Sequence, residues 1–147
     1  MGSDSDLPTL EPAIKVLESF NLLLEIKILS AHRTPKEMIL FAEEAKSKGF
    51  KVIIAGAGGA AHLPGMIASL TPLPVIGVPV RTTALSGIDS MFSILQMPKG
   101  IPVATVAIEG GLNAGLLAAQ IIGVSDTTIQ QKISSYRKNL HDGVISK

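Results

Sequence analysis

Short, uniformly apolar runs constrain the fold of this chain most strongly. They occupy residues 52–55 (VIIA), 75–78 (VIGV) and 103–108 (VATVAI). Runs of this length and composition are typical of strands in a parallel sheet that helices cover on both faces. A fourth run at residues 22–29 (LLLEIKIL) also predicts a strand.

Stretches with helical spacing of apolar residues separate these runs. The predicted helices cover residues 8–20, 35–48, 87–96, 112–122 and 126–144, with a further short helix that ends at Leu70. Strands that alternate with helices predict an α/β fold with a parallel sheet. No linker, repeat or low-complexity segment divides the 147 residues, a length typical of one domain.

The composition is unusually apolar. Hydrophobic residues make up 46% of the chain and charged residues only 17%, whereas about 25% is usual for charged residues in soluble domains. No apolar run reaches the roughly 18 residues of a transmembrane helix, and no signal peptide is visible at the start. We therefore attribute the surplus to interfaces between subunits and expect a homo-oligomer. The last helix carries an apolar stripe that we expect to pack on a neighbouring subunit: Ile129, Ile133, Tyr136, Leu140 and Val144.

Charge and cysteine content argue against several functions. A net charge of +1 with 3% aromatic residues gives no case for nucleic-acid binding. The chain has no cysteine, which excludes disulfides, thiolate metal sites and cysteine nucleophiles. Its three histidines lie far apart without ligand-like spacing, so we predict no metal site. A cytoplasmic protein without a membrane segment fits this composition.

The sequence SAHRTP at residues 30–35 is the strongest candidate for a functional site. It follows the predicted strand at 22–29, and Pro35 opens a helix for which Thr34 is the predicted N-cap. Ligands of open α/β sheets bind at the carboxyl ends of strands. His32 exchanges protons near neutral pH, and Arg33 offers a planar fork of donors to phosphate or carboxylate.

The loop GSDSD at residues 2–6 precedes the first helix. Its small residues let backbone N–H groups approach an anion at a helix N-terminus. Ser3 and Ser5 add hydroxyl donors for a phosphate, and Asp6 suits a ribose hydroxyl. The alternative interpretation is an ordinary Ser/Asp helix cap.

Residues 56–61 (GAGGAA) match the pattern G-x-G-x-x-A after a strand. The match to dinucleotide-binding proteins is weak, because no acidic residue follows about 20 positions later. We interpret these glycines as allowing close approach of the backbone to a small ligand; the alternative is tight packing of helix on strand. For His62, the alternative to a role in the site is a hydrogen-bonded residue of the core.

Four motifs in this order carry a resemblance to a known family. They are GSDSD at 2–6, SAHRTP at 30–35, AGAGGAAHLPG at 55–65 and QMPKGIPV at 96–103. Over residues 1–123 the chain closely resembles the PurE family of purine biosynthesis. The resemblance implies a three-layer, flavodoxin-like fold and a homo-octamer. It also implies an enzyme that converts N5-carboxyaminoimidazole ribonucleotide to 4-carboxy-5-aminoimidazole ribonucleotide, with neither metal nor organic cofactor.

The resemblance also assigns residues. His32 falls on the catalytic position of the family, and Ser3, Asp6 and Arg33 fall on nucleotide-binding positions. We expect the backbone of residues 56–59, with Leu63 and neighbouring alanines, to hold CO2. The full set of predicted substrate-binding residues is Ser3, Ser5, Asp6, Ser30, Arg33, Gly58, His62 and Leu63.

Residues 106–114 (VAIEGGLNA) look more like those of bacterial mutases than those of animal-type carboxylases. Three alternatives stay open at this point. They are a carboxylase of aminoimidazole ribonucleotide that uses free CO2, a phosphosugar isomerase, and a nucleotide-binding module without catalysis.

One departure from the family lies at the start. Family members have an apolar strand before the loop at 2–6, whereas this sequence begins at the loop. In the family that strand lies inside the sheet, between the strand ending at Leu29 and the strand ending at Ala55. We therefore expect about seven further N-terminal residues, a usual strand length, in the native protein.

Overall fold

The centre of the fold is a parallel sheet of three strands, in the order β1–β2–β3. The computed structural model describes residues 1–146. Strands β1 (Ile53–Gly58) and β2 (Val75–Val80) pair over six positions, from Ile53 with Val75 to Gly58 with Val80. Strand β3 is Ala104–Thr105 and pairs with β2, so the predicted strand at 103–108 is much shorter than expected. The predicted parallel α/β fold is confirmed.

Six α-helices surround the sheet in the described chain. They are α1 (Leu7–Ser19), α2 (Pro35–Glu44), α3 (Leu63–Ala68), α4 (Ile88–Leu95), α5 (Gly111–Gly123) and α6 (Thr127–Ile145). Side chains of β2 alternate between two layers, as the period of a strand requires. Ile76 and Val78 pack with α1 and α5, whereas Val75 belongs to the cluster formed with α2, α3 and α4. The predicted helices are present with shifted ends, and none in the described chain is long and apolar enough to cross a membrane.

Glycines allow α5 to lie close against α1. A Cβ on Gly111 would lie 1.9 Å from the carbonyl oxygen of Thr9, and one on Gly115 would lie 2.6 Å from Cγ1 of Val16. Any larger residue would therefore push the helices apart. This contact fixes the start of α1, and with it the loop at 2–6.

The predicted strand at residues 22–29 is wrong. Within residues 1–146 this segment belongs to no strand, and Leu23 and Ile26 are exposed. Its backbone bonds to Met1 instead: the Met1 amine donates to the Lys27 carbonyl at 2.9 Å, and the Leu29 N–H donates to the Met1 carbonyl at 2.8 Å. Apolar residues form a strand only where a neighbouring strand supplies ladder partners, and here only Met1 lies alongside.

A cavity of about 680 Å³ separates this segment from β1. Apolar side chains from both sides and from α1 line it, among them Leu10, Leu24 and Ile53. At its end, the Gly2 N–H donates to the Gly56 carbonyl at 3.2 Å, so residues 1–2 connect the two walls. The cavity lies between residues 22–29 and β1, and its walls are apolar, as the surroundings of a buried strand are.

We predict that a strand joined to Met1 will fill this cavity. Seven residues rich in Val and Ile, fused ahead of Met1, should raise the temperature of unfolding. Burial of two such side chains contributes about 3 kcal/mol, which corresponds to roughly 6–12 °C for a chain of this size. Calorimetry checks this against an extension of equal length made of Gly and Ser. Equal unfolding temperatures for the two extensions would contradict the prediction.

Candidate functional site

A second cavity, of about 600 Å³, lies at the carboxyl ends of β1 and β2. Four segments line it: residues 2–6, 30–33, 57–63 and 80–81. The nine residues predicted for the site from the sequence are all among the lining residues: Ser3, Ser5, Asp6, Ser30, His32, Arg33, Gly58, His62 and Leu63. The structure therefore brings distant motifs of the sequence together around one space.

Two histidines contact each other across this cavity. Nε2 of His32 lies 2.8 Å from Nδ1 of His62, and the rings meet edge to face with centroids 4.9 Å apart. One of these nitrogens carries the hydrogen and the other accepts it. Both side chains are exposed to the cavity, so the alternative of a core role for His62 is wrong. Such a pair is suited to giving a proton to a ligand and taking one back.

Local hydrogen bonds shape the turn that carries His32 and Arg33. The Ser30 N–H donates to Oγ1 of Thr34 at 2.8 Å, and that hydroxyl donates back to the Ser30 carbonyl at 3.2 Å. Thr34 occupies the N-cap position of α2, as predicted. Its side chain makes no capping bond, because its hydroxyl is hydrogen-bonded to the backbone of Ser30. The Arg33 guanidinium reaches the Gly2 carbonyl with Nη2 at 3.4 Å. Arg33 therefore lies beside the loop at 2–6.

The loop at 2–6 is a capped turn with two hydroxyls on the cavity. Oγ of Ser3 accepts from the Ser5 N–H at 3.3 Å and from the Ser5 hydroxyl at 2.9 Å. The Asp6 side chain accepts from the Ser3 N–H, which completes a capping box. The helix-cap interpretation is thus correct for the local structure, and it leaves both serines beside Arg33 on the same cavity.

Asp6 is the buried acid of the site, with 7% of its surface exposed. Burial raises the pKa of its carboxyl above the ordinary value of 3.8, although backbone hydrogen bonds from Ser3 and Gly2 act in the opposite direction. The fold therefore favours the protonated carboxyl more than water does.

The glycines at the end of β1 and just after it serve both purposes considered for them. A Cβ on Gly56 would lie 3.0 Å from Cδ1 of Leu10, so this glycine allows α1 to pack on the strand. Gly58 lines the cavity, with Ala57 and Ala60 beside it. Gly59 has φ +68°, a conformation that favours glycine.

Sequence reasoning missed two residues at this edge of the sheet. Arg81 follows β2 directly and lines the cavity, so the rule that placed His32 at a strand end would also have found it. Oε1 of Glu109 accepts from the Arg81 N–H at 2.8 Å and from the Thr9 hydroxyl at 2.9 Å. Glu109 has φ +60° and ties β2 to α1, and no signal in the sequence indicates this role.

The arrangement defines an α/β protein whose cavity, at the carboxyl ends of β1 and β2, is lined by two histidines in contact, by Arg33 and by serine hydroxyls. The family described as AIR carboxylase matches residues 1–143, and the chain belongs to that family.

Relatives in the family are similar over the whole chain. The N5-carboxyaminoimidazole ribonucleotide mutase of Synechocystis sp. is 58% identical, over 100% of this chain and 84% of the relative. The mutase of Thermotoga maritima is 56% identical, over 100% of this chain and 86% of the relative. A chloroplastic phosphoribosylaminoimidazole carboxylase of Vigna aconitifolia is 54% identical, over 99% of this chain but 26% of the relative.

A solved structure supports the same fold. The crystal structure of Treponema denticola PurE superposes with a TM-score of 0.90 at 30% identity, over 99% of this chain and 91% of that one. The predicted family and its three-layer fold are confirmed.

We predict that Asp6→Asn changes how stability depends on pH. In the wild type, the stability that comes from protonated Asp6 is present below pH 3.8 and is lost as the pH rises through the raised pKa. The amide does not titrate. The unfolding temperature of the variant, relative to the wild type, should therefore increase across this window. Thermal unfolding at several pH values measures the difference, and a difference independent of pH would contradict the raised pKa.

Proposed function

We propose that this chain is an N5-carboxyaminoimidazole ribonucleotide mutase of purine biosynthesis. It converts N5-carboxyaminoimidazole ribonucleotide to 4-carboxy-5-aminoimidazole ribonucleotide. The observation that carries the proposal is the contact between His32 and His62 on the cavity that Arg33 and the loop at 2–6 also line. The names of the full-length relatives support the same activity.

The phosphate of the nucleotide binds at the end of the cavity formed by Arg33, Ser3 and Ser5. An Arg fork and serine hydroxyls match the oxygens of a phosphate. The Ser30 hydroxyl, 3.2 Å from the Arg33 N–H and 3.4 Å from Nε of Arg33, orients this side chain. Asp6 accepts a hydrogen bond from a ribose hydroxyl.

Chemistry takes place at His32. The bond between N5 and the carboxyl carbon breaks and releases CO2, while His32 gives a proton to the nitrogen. Carbon C4 then attacks CO2, and His32 removes the proton from C4 to restore the aromatic ring. One imidazole serves both steps because they occur in sequence and return its proton.

The CO2 stays beside C4 between the two steps. Gly58, Ala57, Ala60 and Leu63 line this part of the cavity and offer backbone and small apolar side chains rather than charged groups. Holding CO2 there replaces a bimolecular encounter with a positioned one, which is worth several kcal/mol.

A carboxylase that uses free CO2 is the second candidate. It is favoured by the 54% identity to phosphoribosylaminoimidazole carboxylases, of which this chain spans about a quarter. Turnover of aminoimidazole ribonucleotide with bicarbonate, compared with turnover of the N5-carboxylated substrate without it, separates the two. Turnover of a phosphosugar from a panel of such substrates would indicate an isomerase. Nucleotide binding without turnover would indicate a binding module.

We predict that His32→Asn lowers kcat at least tenfold, a barrier increase of about 1.4 kcal/mol, because the amide cannot transfer a proton. Nucleotide affinity should change little. Steady-state kinetics and calorimetry measure the two effects. The control is His141→Asn, because His141 is exposed on α6, away from the cavity. More than a tenth of wild-type kcat in His32→Asn would refute the acid–base role.

Two exposed apolar faces support self-association of the chain, and the resemblance to the PurE family gives eight as the expected number of copies. On α4 and the turn before it, Leu85, Ile88, Phe92 and Leu95 are each about half exposed and lie on one side. On α6, Leu140 and Val144 are 57% and 71% exposed. The first half of the predicted α6 stripe packs within its own subunit instead, where Ile129 and Ile133 are buried with Phe20. The cytoplasmic location stays a prediction.

We predict that Phe92→Glu and Leu140→Glu each reduce the size of the assembly, because a charge cannot be buried there without a partner. Light scattering of the unaltered chain should give eight times the 15.3 kDa of one copy. Gln131→Glu, at an exposed position of α6, is the control and should leave the mass unchanged. A monomeric unaltered chain would contradict the assembly.

A further inference from the structure

Ser90 is a buried polar residue that does not line the cavity. It lies in the first turn of α4, and none of its surface is exposed. A hydroxyl is costly to bury unless it is hydrogen-bonded. Oγ of Ser90 donates to the Val80 carbonyl at 2.6 Å and accepts from the Gly59 N–H at 2.9 Å. One side chain therefore joins the segments that leave β1 and β2.

These two bonds begin where the strand pairing ends. Gly58 and Val80 are the last paired residues of β1 and β2. Beyond these residues, the side chain of Ser90 connects the two segments by hydrogen bonds. A second link holds α4 in place, because the Thr82 hydroxyl donates to Oδ1 of Asp89 at 2.7 Å.

Gly59 begins the turn that leads to His62. The Ala61 N–H donates to the Gly59 carbonyl and the His62 N–H donates to the Ala60 carbonyl, both at 2.8 Å. A trans peptide holds its N–H and C=O in opposite directions. By binding the Gly59 N–H, Ser90 thus also fixes the direction of the Gly58 carbonyl.

We propose that Ser90 is a positioning residue for the reaction. It holds the peptide between Gly58 and Gly59, and through the turn at 59–62 it holds the His62 ring against His32. The inference rests on the proposed mutase activity. Ser90 does not line the cavity, and the turn that it holds carries His62 rather than Arg33. We therefore expect its effect on the chemical step rather than on phosphate binding.

The test is Ser90→Ala in the full chain, with kcat, KM and nucleotide affinity measured. We expect kcat to fall at least tenfold while KM and the dissociation constant stay within threefold. Ile94→Val is the matched control, because Ile94 is buried one turn later on the same helix and has no bond to the loop. Its kcat should stay within twofold of the wild type.

A wild type that does not convert the substrate overturns the proposed function. An active wild type with a Ser90→Ala kcat within threefold overturns the role of Ser90 alone, as does an equal loss of kcat in Ile94→Val. Amide hydrogen exchange of the wild type supplies a measurement that needs no variant. Slow exchange at Gly59, comparable with β1, supports the proposal, and exchange as fast as that of an exposed loop overturns it.

Discussion

The parallel pairing of β1 with β2 is the constraint on which the rest of this structure depends. Six paired positions bring both strands to an end at the same edge, at Gly58 and Val80. Both strands are buried on two faces, so helices must cover each side. The loops that leave this edge carry His62 and Arg81, and the bonds of residues 1–2 to Leu29 and Gly56 bring the loops with Ser3 and His32 alongside. The site is therefore a consequence of the sheet rather than of any one motif.

Close packing and polar contacts then hold the loops in place. Gly111 and Gly115 let α5 approach α1. Ser30, Thr34 and Ser90 each satisfy backbone groups at loop positions where no ladder continues. Their hydroxyls replace strand partners and satisfy the polar backbone groups of an irregular edge. A cavity with one charged end and one small apolar end suits a nucleotide that exchanges a carboxyl group.

Much of the fold and site could be predicted from the sequence, because local signals there agree with the tertiary structure. The runs at 52–55 and 75–78 are strands, and motifs 30 residues apart bring His32 and His62 into contact. The run at 22–29 has the composition of a strand, but its pairing depends on a neighbour, which composition does not reveal. The role of Glu109 could not be predicted for the same reason, because its partners Thr9 and Arg81 are distant in sequence. The role of Ser90 likewise depends on long-range contacts that no periodicity encodes.

In the proposed mechanism, the CO2 released from N5 stays in the cavity until C4 attacks it. Substrate labelled with ¹³C in its carbamate, incubated with the protein in unlabelled bicarbonate, tests this directly by mass spectrometry of the product. We expect product that retains the label in its C4 carboxyl group, at a rate that does not depend on bicarbonate. Product that carries unlabelled carbon from the buffer, formed only when bicarbonate is present, would contradict it.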